Sequence, residues 1–131
     1  MKALLILSVA LLGCSSTPKP EDAVFEMVEA INAQDSARLF NSFSQTYREN
    51  LVRQPAAITS LLDTTRGGKY DAAIYSVQQD GSTARVLYGL RAEGRYNLYF
   101  DSVYAEVYLE EDGWKYGSIL FKQPYMKVRP L

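Results

Sequence analysis

Cys14 is the only thiol in the 131-residue chain, and its surroundings suit one reaction. Lys2 supplies a short positive start, Ala3 to Leu12 is apolar except for Ser8, and Gly13 puts a small residue before the cysteine. This order reads as an export signal ending at a nucleophile. The thiolate can take up a diacylglyceryl group, and Gly13 lets a peptidase reach the backbone. As a helix, the thirteen residues before Cys14 extend only about 20 Å, short of a hydrocarbon core of about 30 Å. The plainer alternative is an ordinary secretory signal with an incidental cysteine. A second chemical candidate is Asp101. Strand alternation puts it on one face with Tyr99, Val103 and Val107. A carboxylate enclosed there has a raised pKa and can act as a base, or, when neutral, as a donor beside a phenol from Tyr88 or Tyr116. The alternative is a solvated Asp101, turned to water by a bulge near the strand end.

Other chemistry is excluded by composition. There is no histidine. That removes Cys/His zinc sites, Ser-His-Asp triads and the commonest general base at neutral pH. With Cys14 lipidated, no thiol remains for a disulfide, and packing alone must hold the fold. Removal of residues 1–13 leaves 118 residues, 13 basic and 15 acidic side chains and a net charge of −2. That length suits one domain with one core, and that charge is no nucleic-acid footprint. No metal or cofactor is expected.

The elements that must position these residues fall into two halves. Residues 15–19 form a short polar tether. Pro20, Glu21 and Asp22 suit the first turn of a helix carrying Val24, Met27, Val28 and Ile31 on one face. Residues 32–35 end it, and Asp35 can cap a second helix with Leu39, Phe40 and Phe43 as its stripe and Tyr47 one turn on. A third helical stretch begins near Pro55, carries Ile58, Leu61 and Leu62, and stops at Gly67-Gly68. From Tyr70 the pattern alternates. Strands are expected at 70–79, 83–92, 97–110 and 114–122, with turns at Asp80-Gly81, Glu93-Gly94 and Asp112-Gly113. In the third strand Val103, Ala105, Val107 and Leu109 take one face. Tyr104, Glu106, Tyr108 and Glu110 take the other. That second row is either an ordinary half-exposed sheet face or a protein contact.

Two resemblances follow. Leu11-Leu12-Gly13-Cys14 resembles the lipobox of bacterial lipoproteins, which implies diacylation of Cys14, cleavage before it and often a further N-acyl chain. Ser15 stands where Asp would signal inner-membrane retention. The resemblance therefore implies the periplasmic face of the outer membrane in a Gram-negative host, or the outer face of the cell membrane in a Gram-positive one. Across about residues 20–122, the chain resembles the nuclear transport factor 2-like superfamily, also called cystatin-like or ketosteroid-isomerase-like. More closely, it is similar to small bacterial lipoproteins with a domain of unknown function of that fold. The residues behind this are Pro20-Glu21-Asp22, Ala33-Gln34-Asp35-Ser36 and Asp112-Gly113-Trp114-Lys115. The resemblance implies an α+β cone, with N-terminal helices on one face of a curved four-stranded antiparallel sheet. It also implies a pocket between them and, often, a sheet-to-sheet dimer.

The expected organisation is a signal peptide at 1–13, a lipidated cysteine and tether at 14–19, the cone at 20–122 and a basic tail at 123–131. The basic end, with Lys115, Lys122, Lys127 and Arg129, is either solvated or a contact for anionic headgroups or a partner. The expected function is a membrane-anchored, non-catalytic binding or adaptor domain for an envelope protein or a second copy. The alternatives are a small-ligand pocket protein lined by Tyr88, Tyr99, Asp101 and Tyr116 and, last, a histidine-free isomerase- or hydrolase-like enzyme.

Overall fold

The apolar spacing 24, 27, 28, 31 forms helix α1 (Asp22–Ala33), which buries Val24, Met27, Val28 and Ile31 together with Ala23 and Ala30. A computed structural model describes residues 17–93, 96–120 and 126–130, with residues 96–101, 118–120 and 126–130 described as backbone only. Cys14 and the signal segment lie outside the described residues, as do Phe121, Lys122 and Tyr125. Gln34 ends α1 in a left-handed conformation (φ 54°), its N–H turned back to the carbonyls of Ala30 and Ile31. Asp35 then caps helix α2 (Ser36–Ser42) by accepting from the Arg38 N–H at 3.0 Å.

The stripe Leu39, Phe40, Phe43, Tyr47 does not run through one helix. The chain breaks at Phe43, which is extended and forms a parallel bridge to Tyr116. The Ser44 N–H donates to the Tyr116 carbonyl at 2.8 Å, and Ser44 Oγ caps helix α3 (Gln45–Arg53). Helix α4 (Ala56–Thr65) starts after Pro55 and is followed by Gly67 at φ 81°. Among the described residues there are thus four helices where three were expected. A locally helical spacing was overridden by pairing with a strand.

The sheet is an antiparallel meander of β1 (Lys69–Asp80), β2 (Thr83–Glu93), β3 (Tyr96–Glu110) and β4 (Gly113–Leu120). A fifth strand, β5 (Met126–Pro130), pairs with Tyr96–Phe100 of β3. This corrects the reading of residues 126–130 as tail. At 15 residues β3 is far longer than β4, which reaches back only to Tyr104, and β5 takes up part of the remaining ladder. Irregularities in register lie at Tyr75 on β1, around Gly89 on β2 and next to Gly117 on β4. Such bulges bend a sheet.

The core joins the inner face of this sheet to the helices. Val86, Tyr88, Val103, Ala105 and Val107 pack in one cluster with the buried face of α1 and with Leu39 and Phe43. Leu109 departs from the expected aliphatic row: it is 41% exposed near the end of β3. A polar latch closes the top of the core. The Asn32 side chain accepts from the Tyr70 N–H at 2.8 Å and donates to its carbonyl at 2.9 Å. Gln34 Nε2 donates to Thr65 Oγ1 at 3.2 Å. The C-terminal end of α1 therefore also pins the start of β1 and the end of α4.

Candidate functional site

Tyr88 on β2 and Tyr116 on β4 meet in the core. Their hydroxyls are 2.7 Å apart and their rings cross edge to face at 6.4 Å between centroids. The exposures are 0% and 2%, and Phe43 packs its ring at 86° to Tyr116. Burial holds both phenols protonated well above the ordinary tyrosine value, because a phenolate would be desolvated there. Two of the expected pocket residues are thus together, and each spends hydrogen-bonding capacity on the other. Tyr99 and Asp101 lie on the backbone of β3, and their side chains are outside the described residues. Tyr88 pairs with Val103, and Leu90 pairs with Phe100. Asp101 and Ser102 therefore stand opposite the single residue Gly89, and strand parity does not carry across that bulge.

The buried phenol pair has a pH consequence. Both pKa values are raised on folding, so their contribution to stability is complete below about pH 10 and declines as pH rises further, where only the unfolded chain ionises. In an ultraviolet phenolate titration, at least two of the ten tyrosines should stay protonated until the chain unfolds. A smooth titration of all ten with the fold intact would contradict the burial.

The second row of β3 lies on the outer face of the sheet, away from the buried Val103, Ala105 and Val107, and its four residues differ. Tyr104 is 37% exposed, with the Arg85 guanidinium 5.7 Å above its ring centre. The Tyr108 hydroxyl donates to Glu106 at 2.7 Å, which raises the phenol's pKa because the bond is lost on ionisation. The Tyr108 ring lies over Gly117, where a Cβ would stand 2.2 Å from a ring carbon. Only a residue without a side chain fits under it. Glu110 accepts from the Gln45 N–H at 2.8 Å and pairs with Arg48 at 3.5 Å. It ties α3 to the sheet and is not available as the free interface residue that alternation suggested. Lys115, read as part of a basic end, pairs with Asp112 at 2.9 Å and donates to the Asn41 carbonyl at 2.8 Å. Lys115 holds the Asp112 carboxyl below its usual range.

Two grooves adjoin these residues. One, of about 980 Å³, lies between α1, α2 and the β3–β4 turn. Arg38 spans it from α2, gripping both Glu26 oxygens at 2.7 and 3.0 Å and Glu29 at 3.2 Å. The other, of about 630 Å³, lies between α3 and the outer face of β3 and β4. The sequence pattern did not reveal the second groove, because the break at Phe43 is what sets α3 beside β4. Among the described residues, no group of three or more acidic, cysteine or histidine side chains is arranged to hold a metal ion.

Helices on one face of an antiparallel sheet define an α+β fold, and comparison with solved structures shows its likeness to a cystatin-like fold. A Thiobacillus denitrificans domain assigned to the calcium/calmodulin-dependent protein kinase type II association type is similar at a TM-score of 0.59 with 12% identity, over 87% of this chain and 96% of that one. A protein assigned as an aromatic ring hydroxylase from Novosphingobium aromaticivorans gives 0.51 with 14% identity, over 83% and 90%. A domain of unknown function with a cystatin-like fold from Nostoc punctiforme gives 0.50 with 14% identity, over 74% and 70%. No family model matches the sequence, and no curated protein does.

Proposed function

We propose that this chain is a lipid-anchored protein of the bacterial cell envelope, held through Cys14, whose domain is a non-catalytic binding module. In a Gram-negative host it sits on the periplasmic face of the outer membrane, because Ser15 rather than Asp follows the cysteine. Its partner is an envelope protein or a second copy, met by the outer face of the sheet. The observation that carries this reading is Tyr104, half in solvent beneath Arg85 on a face opposite the helix-packed core. Aromatic and arginine side chains are the usual anchors of a protein contact. The likeness in fold to a domain named for association is consistent with self-assembly. Tyr88 and Tyr116 favour binding over catalysis, since they are buried and bonded to each other.

The test removes the exposed anchor alone. Tyr108 is left in place because its ring covers Gly117. Tyr104→Ala should keep the melting temperature of the wild type and weaken self-association, read by sedimentation and by crosslinking in intact envelopes, by about tenfold or more. Unchanged sedimentation and unchanged crosslinks would remove the sheet face from consideration and return attention to the surroundings of Asp101.

A further inference from the structure

The groove beside α3 is built from two kinds of surface. Tyr47 and Tyr108 supply aromatic wall, and Gly117 leaves the backbone bare beneath the Tyr108 ring. Tyr47 is braced from behind by Phe43, stacked at 4.6 Å and 13°. The rim carries Gln45, Thr46 and Asn50, all exposed. Among the described residues, the side chains of these three make no hydrogen bond or ion pair, which leaves two amides and a hydroxyl free to donate and accept. Charge is already settled within the wall. The Glu110 carboxylate is taken by the Gln45 N–H and Arg48, and Arg48 also donates to the Phe43 carbonyl.

We infer that this groove is a binding site for a neutral oligosaccharide. A sugar ring has an apolar C–H face that lies on a tyrosine, and an edge of hydroxyls that both donate and accept. That combination matches flat aromatic wall beside free amides. An anionic ligand finds no uncommitted cation here, and a cationic one finds Glu110 already paired. A peptide adding as a further strand would need an unpaired strand edge for its backbone, whereas the β4 edge at Tyr116 is bonded to Ser44. The volume of about 630 Å³ lies within the roughly 300–1,000 Å³ of small-ligand clefts, enough for a short chain of sugar rings. The site lies on the outer side of the sheet and meets the Tyr88–Tyr116 core only through Phe43, on which Tyr47 stacks; the sugar assignment rests neither on the anchor nor on self-association.

The test is calorimetric titration of the full-length protein, held in a detergent without a sugar headgroup. The probes are four neutral trisaccharides: the N-acetylglucosamine trimer, cellotriose, maltotriose and mannotriose. At least one should bind saturably. Asn50→Ala and Gln45→Ala, both on an exposed helix face, should each weaken that binding by about tenfold, and Tyr104→Ala should leave it unchanged. Tyr47→Ala should abolish binding, with circular dichroism checking that the fold survives. If Tyr47→Ala unfolds the chain, the two amide variants decide the matter. Failure of all four trisaccharides to bind would overturn the assignment. So would binding that both amide variants leave unaltered, or tighter binding of a neutral capped tetrapeptide than of any of the sugars.

Discussion

Cys14→Ser is expected to move the protein from the membrane fraction to the soluble fraction, and to abolish incorporation of labelled palmitate. The effect should be near complete, because lipid anchoring scales with the number of chains. Each buried methylene contributes about 0.8 kcal/mol; one chain alone holds a protein only marginally, and two hold it stably. With the thiol gone there is no attachment point for either. Among the described residues, no helix is long and apolar enough to cross a membrane. The fold should be untouched, because the core cluster draws its members from Ala23 onward. Wild-type protein that never takes up palmitate, together with a serine variant that stays membrane-bound, would sink the lipid anchor.

Trp114→Ala is expected to cost about 3–5 kcal/mol, the usual range for deleting a buried aromatic side chain. Trp114 is 6% exposed and belongs to the core cluster. It is the second residue of β4, directly after Gly113, whose φ of 126° favours glycine, and it pairs with Leu109 across the hairpin. Beyond the ring lies the groove spanned by Arg38, so its removal would let water into the end of the core. For a domain of this size, the melting temperature should fall by roughly 10–20 °C. Circular dichroism is the suitable probe, since this is the only tryptophan and the variant has no indole signal. Trp114→Phe should recover more than half of the loss. A melting curve identical to wild type would mean that the ring lies in water, as part of a binding surface.

Sequence pattern revealed most where local and tertiary forces agree. The face of α1 was readable from residues 24, 27, 28 and 31, because the core wants the same stripe that helical geometry provides. The meander was readable from alternation and from Asp80-Gly81 and Asp112-Gly113. It was hidden where partners distant in the chain decide. Phe43 sits at helical spacing yet bridges Tyr116, and its only local sign is Ser44, an ordinary helix cap. Leu109 fits the aliphatic row in type and parity but is exposed near the end of β3. Glu110 read as part of the outer row, half-exposed or at a protein contact, whereas Gln45 and Arg48, some sixty residues earlier, claim it. Asn32 read as a helix terminator, and nothing nearby announced that its amide would stand in for a strand at Tyr70. The bulge opposite Gly89 is a backbone event that parity cannot register, which is why the alternation could not place Asp101.

The register break at Tyr75 bears on how copies avoid one another. Among the described residues, β1 has a neighbour only on its β2 side. A bare edge of twelve residues invites another chain to add a strand. A two-dimensional tether would aggravate that hazard by concentrating like edges in one plane. Tyr75 divides the run: the ladder is regular from Lys69 to Ile74, skips a residue, and resumes at Ser76. The exposed ring of Tyr75 marks the interruption. Lys69 and Asp71 place charge near one end, and Asp80 places it at the other. A second β1 laid alongside would meet a kinked template whose two segments are out of step. The proposed contact between copies through the flat of the sheet would instead close on itself as a symmetric pair and stop at two.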